Sequence, residues 1–535
     1  MADSTIKNEP VTTPGLPRGR TVGIVSILTF AVSVVGYLRE AALASRYGVS
    51  ATMDAYFGAM FVPNSIYLIL VVGTLSPLFI PILLQHDVEK DPSKVSETFS
   101  IITNLTLVVL LAVVGAGLLF VRVWLPLLFP GYDPTTRAVT ERLIFIIFPA
   151  VVFLGLAGVF TAALNGFHKF ALASFAPALS SMAVIVGVLL ARGEEAIYVV
   201  GFATALGFVM QFLILLPATT SLGIRYRPIL NFRHPAIRQL LKVGAPLLLY
   251  LAVANLSSVV ERNLASRLSS GAVSAVTYAT RLFAMPGGFI AAPLAIVAYP
   301  AFARAAARNN FPELCEQVSR TFRFAVFLFL PITVLLMLNA LPITRMLYER
   351  GHFRPEDSVL ISRVLVLYAI GILPYGAGMI LLRCFYALQD TITPLIAEIV
   401  SLAFYTITAT WLSKRLGIEG LALTRGMTFF LVSGIMVFVL WNKRRLLTLD
   451  FSLLSFFLKT AVASTVMGIV SWASLHVLRA SFDSAKSPER FVILLLVTAV
   501  SIATFLALAL ILKIREATRV LHTASDLILR RVSST

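Results

Sequence analysis

A chain of 535 residues that is 58% hydrophobic and only 13% charged, with a mean hydropathy of +0.89, has too little polar surface to cover a soluble fold. It belongs in a membrane. A net charge of +18 would suggest nucleic acid in a soluble protein, but here Lys and Arg gather in short segments between apolar runs, the pattern of a multi-span protein under the positive-inside rule and not of a nucleic-acid binder.

Residues 1–20 are polar, carry Pro10, Pro14 and Pro17, and lack the apolar centre of a cleaved signal peptide, so they read as a disordered cytoplasmic tail. A membrane span needs about 20 apolar residues. Fourteen segments qualify: 21–43, 54–85, 100–128, 139–164, 171–191, 196–221, 240–266, 272–300, 322–342, 358–386, 391–413, 418–441, 453–478 and 491–513. With the amino terminus inside, the inside segments hold roughly twice the Lys and Arg of the outside loops. The clearest inside clusters are Arg225, Arg227, Arg233, Arg238 and Lys242, then Lys443, Arg444 and Arg445, then Lys513, Arg515 and Arg519. An even number of spans places both termini in the cytoplasm. Cys315, in a loop, and Cys384, in an apolar run, make neither a disulfide framework nor a metal site.

One block occurs twice. Leu43-Ala44-Ser45-Arg46 precedes Ser50-Ala51 and Pro63; Leu264-Ala265-Ser266-Arg267, 221 residues later (264 − 43), precedes Ser274-Ala275 and Pro286. An acid–base pair stands ahead of each copy, Arg39-Glu40 and Glu261-Arg262. Six spans separate the copies, so both have the same orientation and the repeat is parallel. The expected fold class is an all-α polytopic membrane protein of about 14 transmembrane helices, with two six-helix lobes related by a parallel repeat plus two appended helices. The expected division is an N-lobe at 21–221, a basic cytoplasmic linker at 222–239, a C-lobe at 240–441, appended spans at 442–513 and a cytoplasmic tail at 514–535. A substrate path is expected between the lobes, near the duplicated spans.

Charges inside a bilayer cost at least about 2.5–3.5 kcal/mol each and are kept off lipid. The candidates are Arg39, Glu40, Glu261, Arg262, Arg281, Arg383, Asp390, Glu398 and Arg425. Arg39 and Glu40 fall near the outer end of the first span, where they line a cavity or snorkel as a pair to the interface. Arg281 lies well inside the eighth span with no acid at helical spacing. An unpaired arginine there suits an anion, and phosphate best matches its fork; the plainer alternative is a pair with Glu261. Glu261 either braces an arginine or binds a coupling cation or proton. Asp54 opens the second span, where it either caps the helix or joins Glu40, Glu261 and Arg262 as a cavity or coupling residue. Pro63, Pro286 and Pro293, with Gly73, Gly287 and Gly288 nearby, mark bends at matching places of both lobes, as a rocking transporter needs. The sequence contains no Walker-type phosphate loop, no paired acids of a metal-dependent glycosyltransferase and no His-Glu-x-x-His helix. No cofactor is expected, and the driving force is left to a coupling cation, the membrane potential or consumption of the product.

Residues 36–64, GYLREAALASRYGVSATMDAYFGAMFVPN, resemble the opening of the MurJ/MviN family, the lipid II flippases of the multidrug/oligosaccharidyl-lipid/polysaccharide exporter superfamily. The resemblance continues at 161–177 (TAALNGFHKFALASFAP), 278–286 (YATRLFAMP), 347–353 (LYERGHF) and 385–394 (FYALQDTITP). It implies a two-lobed bacterial inner-membrane protein, not an enzyme, that moves an undecaprenyl-diphosphate-linked disaccharide–peptide to the outer leaflet by alternating access. The appended helices would form a groove for the lipid tail. Partners would be the lipid-linked glycan, membrane lipids and cell-wall synthesis machinery. Arg39 and Arg281 match the family's cavity arginines and would contact the diphosphate. Glu40 stands where the family commonly has Asp, and Asp54, Pro63 and Asn64 match its second span. Glu261 falls where many members carry an acid implicated in cation binding. The chain departs from the pattern at Ser33, Tyr67 and Val72, which replace two arginines and an acid. Those departures keep open a different lipid-linked glycan (capsule, exopolysaccharide or teichoic-acid precursor) or a non-transporting envelope scaffold. A drug exporter would be expected to present acids rather than arginines.

Overall fold

The computed structural model describes residues 19–69, 92–193, 195–231, 233–443, 445–446, 451–481 and 487–519. Val72, Gly73 and Arg444, and most of both tails, lie outside the described residues. The described elements are helical. Their order is α1 Gly19–Tyr47, α2 Ala51–Ile66, α3 Pro92–Leu119, α4 Val121–Leu128, α5 Pro134–Ile147, α6 Val151–Gly166, α7 Phe170–Leu190, α8 Ala196–Leu213, α9 Leu216–Thr220, α10 Pro235–Ser266, α11 Ala272–Pro286, α12 Ala292–Ala307, α13 Phe311–Leu338, α14 Ala340–Tyr348, α15 Pro355–Ala369, α16 Ile372–Ala387, α17 Ile392–Leu416, α18 Ile418–Phe438, α19 Phe451–Ser481 and α20 Ser487–Ile511. Among the described residues, eleven helices are long and apolar enough to cross a membrane, and twelve if α15 and α16, bent by 45°, form one span. The two remaining candidates are 54–85, described only in part, and 240–266, which lies in the 32-residue α10. The expected fourteen are compatible with this architecture.

Long apolar runs make helices here because a bilayer offers the backbone no other hydrogen-bond partner. Local chemistry sets the ends. The Ser50 side chain accepts the Met53 N–H and starts α2, Asp133 accepts from Thr135 and Thr136 to start α5, and Asn310 does the same for α13. α13 begins earlier than its apolar core, so Cys315 is helical and not in a loop. The third span breaks at Phe120 into α3 and α4. Both matched prolines lead into widened π-turns, residues 67–69 after Pro63 and Gly287–Ala291 after Pro286, so the two bends fall at equivalent places.

Packing repeats as well. In the amino-terminal half α1 lies on α7, α2 on α5 and α7 on α8; in the carboxy-terminal half α10 lies on α17, α11 on α15 and α17 on α18. The halves meet through α2 against α11, α1 against α14 and α4 against α10. The last two long helices pair with each other and dock on α13. They are pinned there by Asn339 to Ser471 (3.1 Å), Arg323 to Ser452 (3.0 Å) and Arg490 to Glu349 (3.1 Å).

Candidate functional site

A pocket of about 500 Å³ opens between the halves, walled by α1, α2, α10 and α11. Arg39, Glu40, Arg262 and Arg281 all line it, with Asn64, Asn255, Ser258 and Thr280 as neutral polar neighbours. Arg39 and Glu40 are therefore not a snorkelling pair: they line the pocket between the halves, and Glu40 is only 3% exposed. Its Oε1 accepts from Arg39 Nη2 at 2.6 Å and faces Arg281 Nε at 3.7 Å. Arg281, expected to be unpaired or paired with Glu261, thus bridges to the opposite half. Three guanidiniums and one carboxylate leave the pocket positive, a place for an anion.

Glu261 and Arg262, adjacent in sequence, turn to opposite sides of α10, and the arginine that Glu261 pairs with is Arg425 of α18. Glu261, 2% exposed, turns into the carboxy-terminal half. There it receives hydrogen bonds from Tyr368 Oη (2.8 Å) and Tyr405 Oη (3.0 Å), and an ion pair from Arg425 (3.1 Å). Arg425 also donates to Ser257 O at 3.0 Å and lies over the Tyr405 ring. With its oxygens so engaged, Glu261 ties together α10, α15, α17 and α18. Among the described residues no cluster of His, Cys, Asp or Glu suits a metal ion. Arg262 turns the other way, into the pocket and over the Phe61 ring of α2 at 4.2 Å.

Asp54 does not cap its own helix; Ser50 does. Its carboxylate reaches across to the start of α11 and accepts from Gly271 N (2.8 Å) and Ser274 N (2.6 Å). An anion at a foreign helix N-terminus is favoured by the two bonds and by the helix dipole. This tie belongs to a seam between the halves. His352 N donates to Ser45 O (2.8 Å), Asn263 Nδ2 to Leu127 O (2.7 Å) and Gly131 N to Ser266 Oγ (3.3 Å). The backbones approach so closely that a Cβ on Gly131 would sit 2.0 Å from Ser266 O, and one on Gly351 would sit 2.3 Å from Ser45 O. The seam adjoins the pocket: Leu43 and Arg262, which line the pocket, are chain neighbours of Ser45 and Asn263 in the seam.

Asp390, counted among the intramembrane charges, is a capping residue that accepts from Thr393 N at the start of α17. The pairing of Arg425 is not legible along the chain, because its acid is 164 residues away, and no motif marks Tyr368 or Tyr405. A second, apolar cavity of about 440 Å³ runs between α13, α16, α18 and α19, lined by Phe322, Val326, Leu373, Phe430, Leu453 and Phe456.

The family model described as "Lipid II flippase MurJ" matches residues 43–493. The chain belongs to the MurJ family. A lipid II flippase MurJ of Burkholderia cenocepacia is 28% identical over 477 residues, covering 85% of this chain and 90% of the relative. A probable lipid II flippase MurJ of Rhizobium meliloti is 27% identical over 471 residues, 85% and 86% of the two chains. Among solved structures, one described as lipid II flippase MurJ in an inward closed conformation superposes with a TM-score of 0.76 at 22% identity, over 91% of this chain and 98% of that one. A multidrug resistance MATE family transporter of the MOP superfamily, inward-facing, gives 0.65 at 16% identity over 80% and 98%. The MurJ match spans both halves, the seam and every pocket residue except Arg39 and Glu40, which immediately precede it.

Proposed function

We propose that this chain moves lipid II, the prenyl-diphosphate-linked peptidoglycan precursor, from the inner to the outer leaflet by alternating access. As a MurJ family member it is a multi-pass inner-membrane flippase and not an enzyme. The observation that carries the reading is the pocket between the halves, where Arg39, Arg262 and Arg281 outnumber Glu40. A diphosphate head needs a polar, positive site, while a prenyl tail can stay among apolar groups. The cavity along α19 is of the right character for that tail. Both termini are assigned to the cytoplasm from the Lys and Arg bias, which makes the seam the outer end and the pocket open inward.

Arg39 and Arg281 are the proposed diphosphate contacts, with Glu40 as their counter-ion. Glu261 is assigned a bracing role, supported by its engagement with Arg425. A membrane potential negative inside favours outward movement of an anionic head and needs no bound cofactor. Cell-wall synthesis machinery is the proposed recipient. Ser33, Tyr67 and Val72 do not move the reading to another glycan, since the relatives matched over most of the chain are lipid II flippases. The test is depletion of the protein in its own host with mass spectrometry of prenyl-linked precursors. Accumulated lipid II is the expected result; accumulation of a different prenyl-linked glycan instead would overturn it.

A further inference from the structure

The cations of the pocket are unequally committed. Arg39 and Arg281 share Glu40, which holds them through Oε1 alone; its Oε2 is buried without a hydrogen bond. Arg262 has no carboxylate within ion-pair distance among the described residues, because Glu261 beside it is taken by Arg425. Its hydrogen bond to Ser258 O is long, 3.4 Å, and its buried Nε has no partner. A buried donor left without an acceptor has lost its water and gained nothing in exchange. A guanidinium lying on an aromatic ring spends its face on that ring and keeps its edge of N–H donors free. Arg262 lies over Phe61, and both line the pocket. The ring belongs to the opposite half, so the free edge sits where the halves meet.

We infer that Arg262 is a specificity residue that reads the second phosphate of the head group. One phosphate displaces Glu40 from Arg39 and Arg281; the other takes the open edge of Arg262. The pocket thereby prefers a prenyl diphosphate over a prenyl monophosphate. This rests on the diphosphate substrate proposed above and adds a residue to it. It also explains how the chain tolerates Tyr67. That side chain lines the same pocket about two turns beyond Phe61 on α2 and its π-turn. The charge absent from α2 is supplied from α10, across Phe61.

The test is binding of undecaprenyl diphosphate and undecaprenyl monophosphate to the purified full-length chain, read by native mass spectrometry. The wild type is expected to prefer the diphosphate at least about tenfold, and Arg262→Gln to reduce that preference to about twofold. Adding Tyr67→Arg to Arg262→Gln is expected to restore it, which loss of a merely structural contact would not allow. If Arg262→Gln folds poorly, the ratio in Arg262→Lys decides, since a ratio does not depend on the folded fraction. An undiminished preference in the Arg262 variants overturns the inference while leaving lipid II transport standing. A wild type that binds neither prenyl lipid removes the transport reading, and this inference with it.

Discussion

At Glu261 a single buried carboxylate is met by an arginine and two tyrosines from three other helices. Removing one partner of such a pair strands the other, at about 3–5 kcal/mol, whereas removing both can be far milder. Glu261→Gln and Arg425→Met are each expected to lower the melting temperature in detergent strongly, and the double variant to recover part of the loss. Single variants that melt with the wild type would show that the pair carries no bracing role. Individual residues were the hardest part to read from sequence. Arg39, Glu40, Arg262 and Arg281 were legible as intramembrane charges, because an apolar span has no other reason to hold them. Their partners were not. Pairing is decided across helices, and chain neighbours such as Glu261 and Arg262 point to opposite sides.

Helices as elements were far more legible, since a bilayer admits apolar runs in only one backbone form. Their ends were less so. α13 carries an amphipathic turn and more before its apolar core, and α3 ends at Phe120 inside a continuous apolar run, shortly after Gly115 and Gly117. The start of α11 shows an element depending on a residue outside it. Asp54 is the acceptor for its first N–H groups, and losing a cap costs about 0.5–2 kcal/mol. In a background with Cys315 and Cys384 replaced by serine, Asp54→Ala is expected to speed labelling of Ser274→Cys by an impermeant maleimide about tenfold, because Ser274 is fully buried while the seam is shut. An unchanged rate would mean that Asp54 does not hold the seam.

For the whole molecule, the duplicated block predicted the internal symmetry, and α1 on α7 beside α10 on α17 repeats it in space. What no repeat could reveal is the present state. The closed seam and the pocket behind it depend on close backbone approaches such as Gly131 to Ser266, which have no sequence period. The appended helices dock on α13, so they travel with the carboxy-terminal half when the halves rock. On the proposed mechanism, a cycle requires the seam to part and the substrate's phosphate to displace Glu40 from Arg281. The most direct test is transfer of fluorescent lipid II across vesicles containing the purified chain. Leaflet exchange by the wild type, reduced at least about tenfold by Arg281→Gln at equal insertion, is the predicted result. Exchange at the same rate in both, or none in the wild type, would contradict the account.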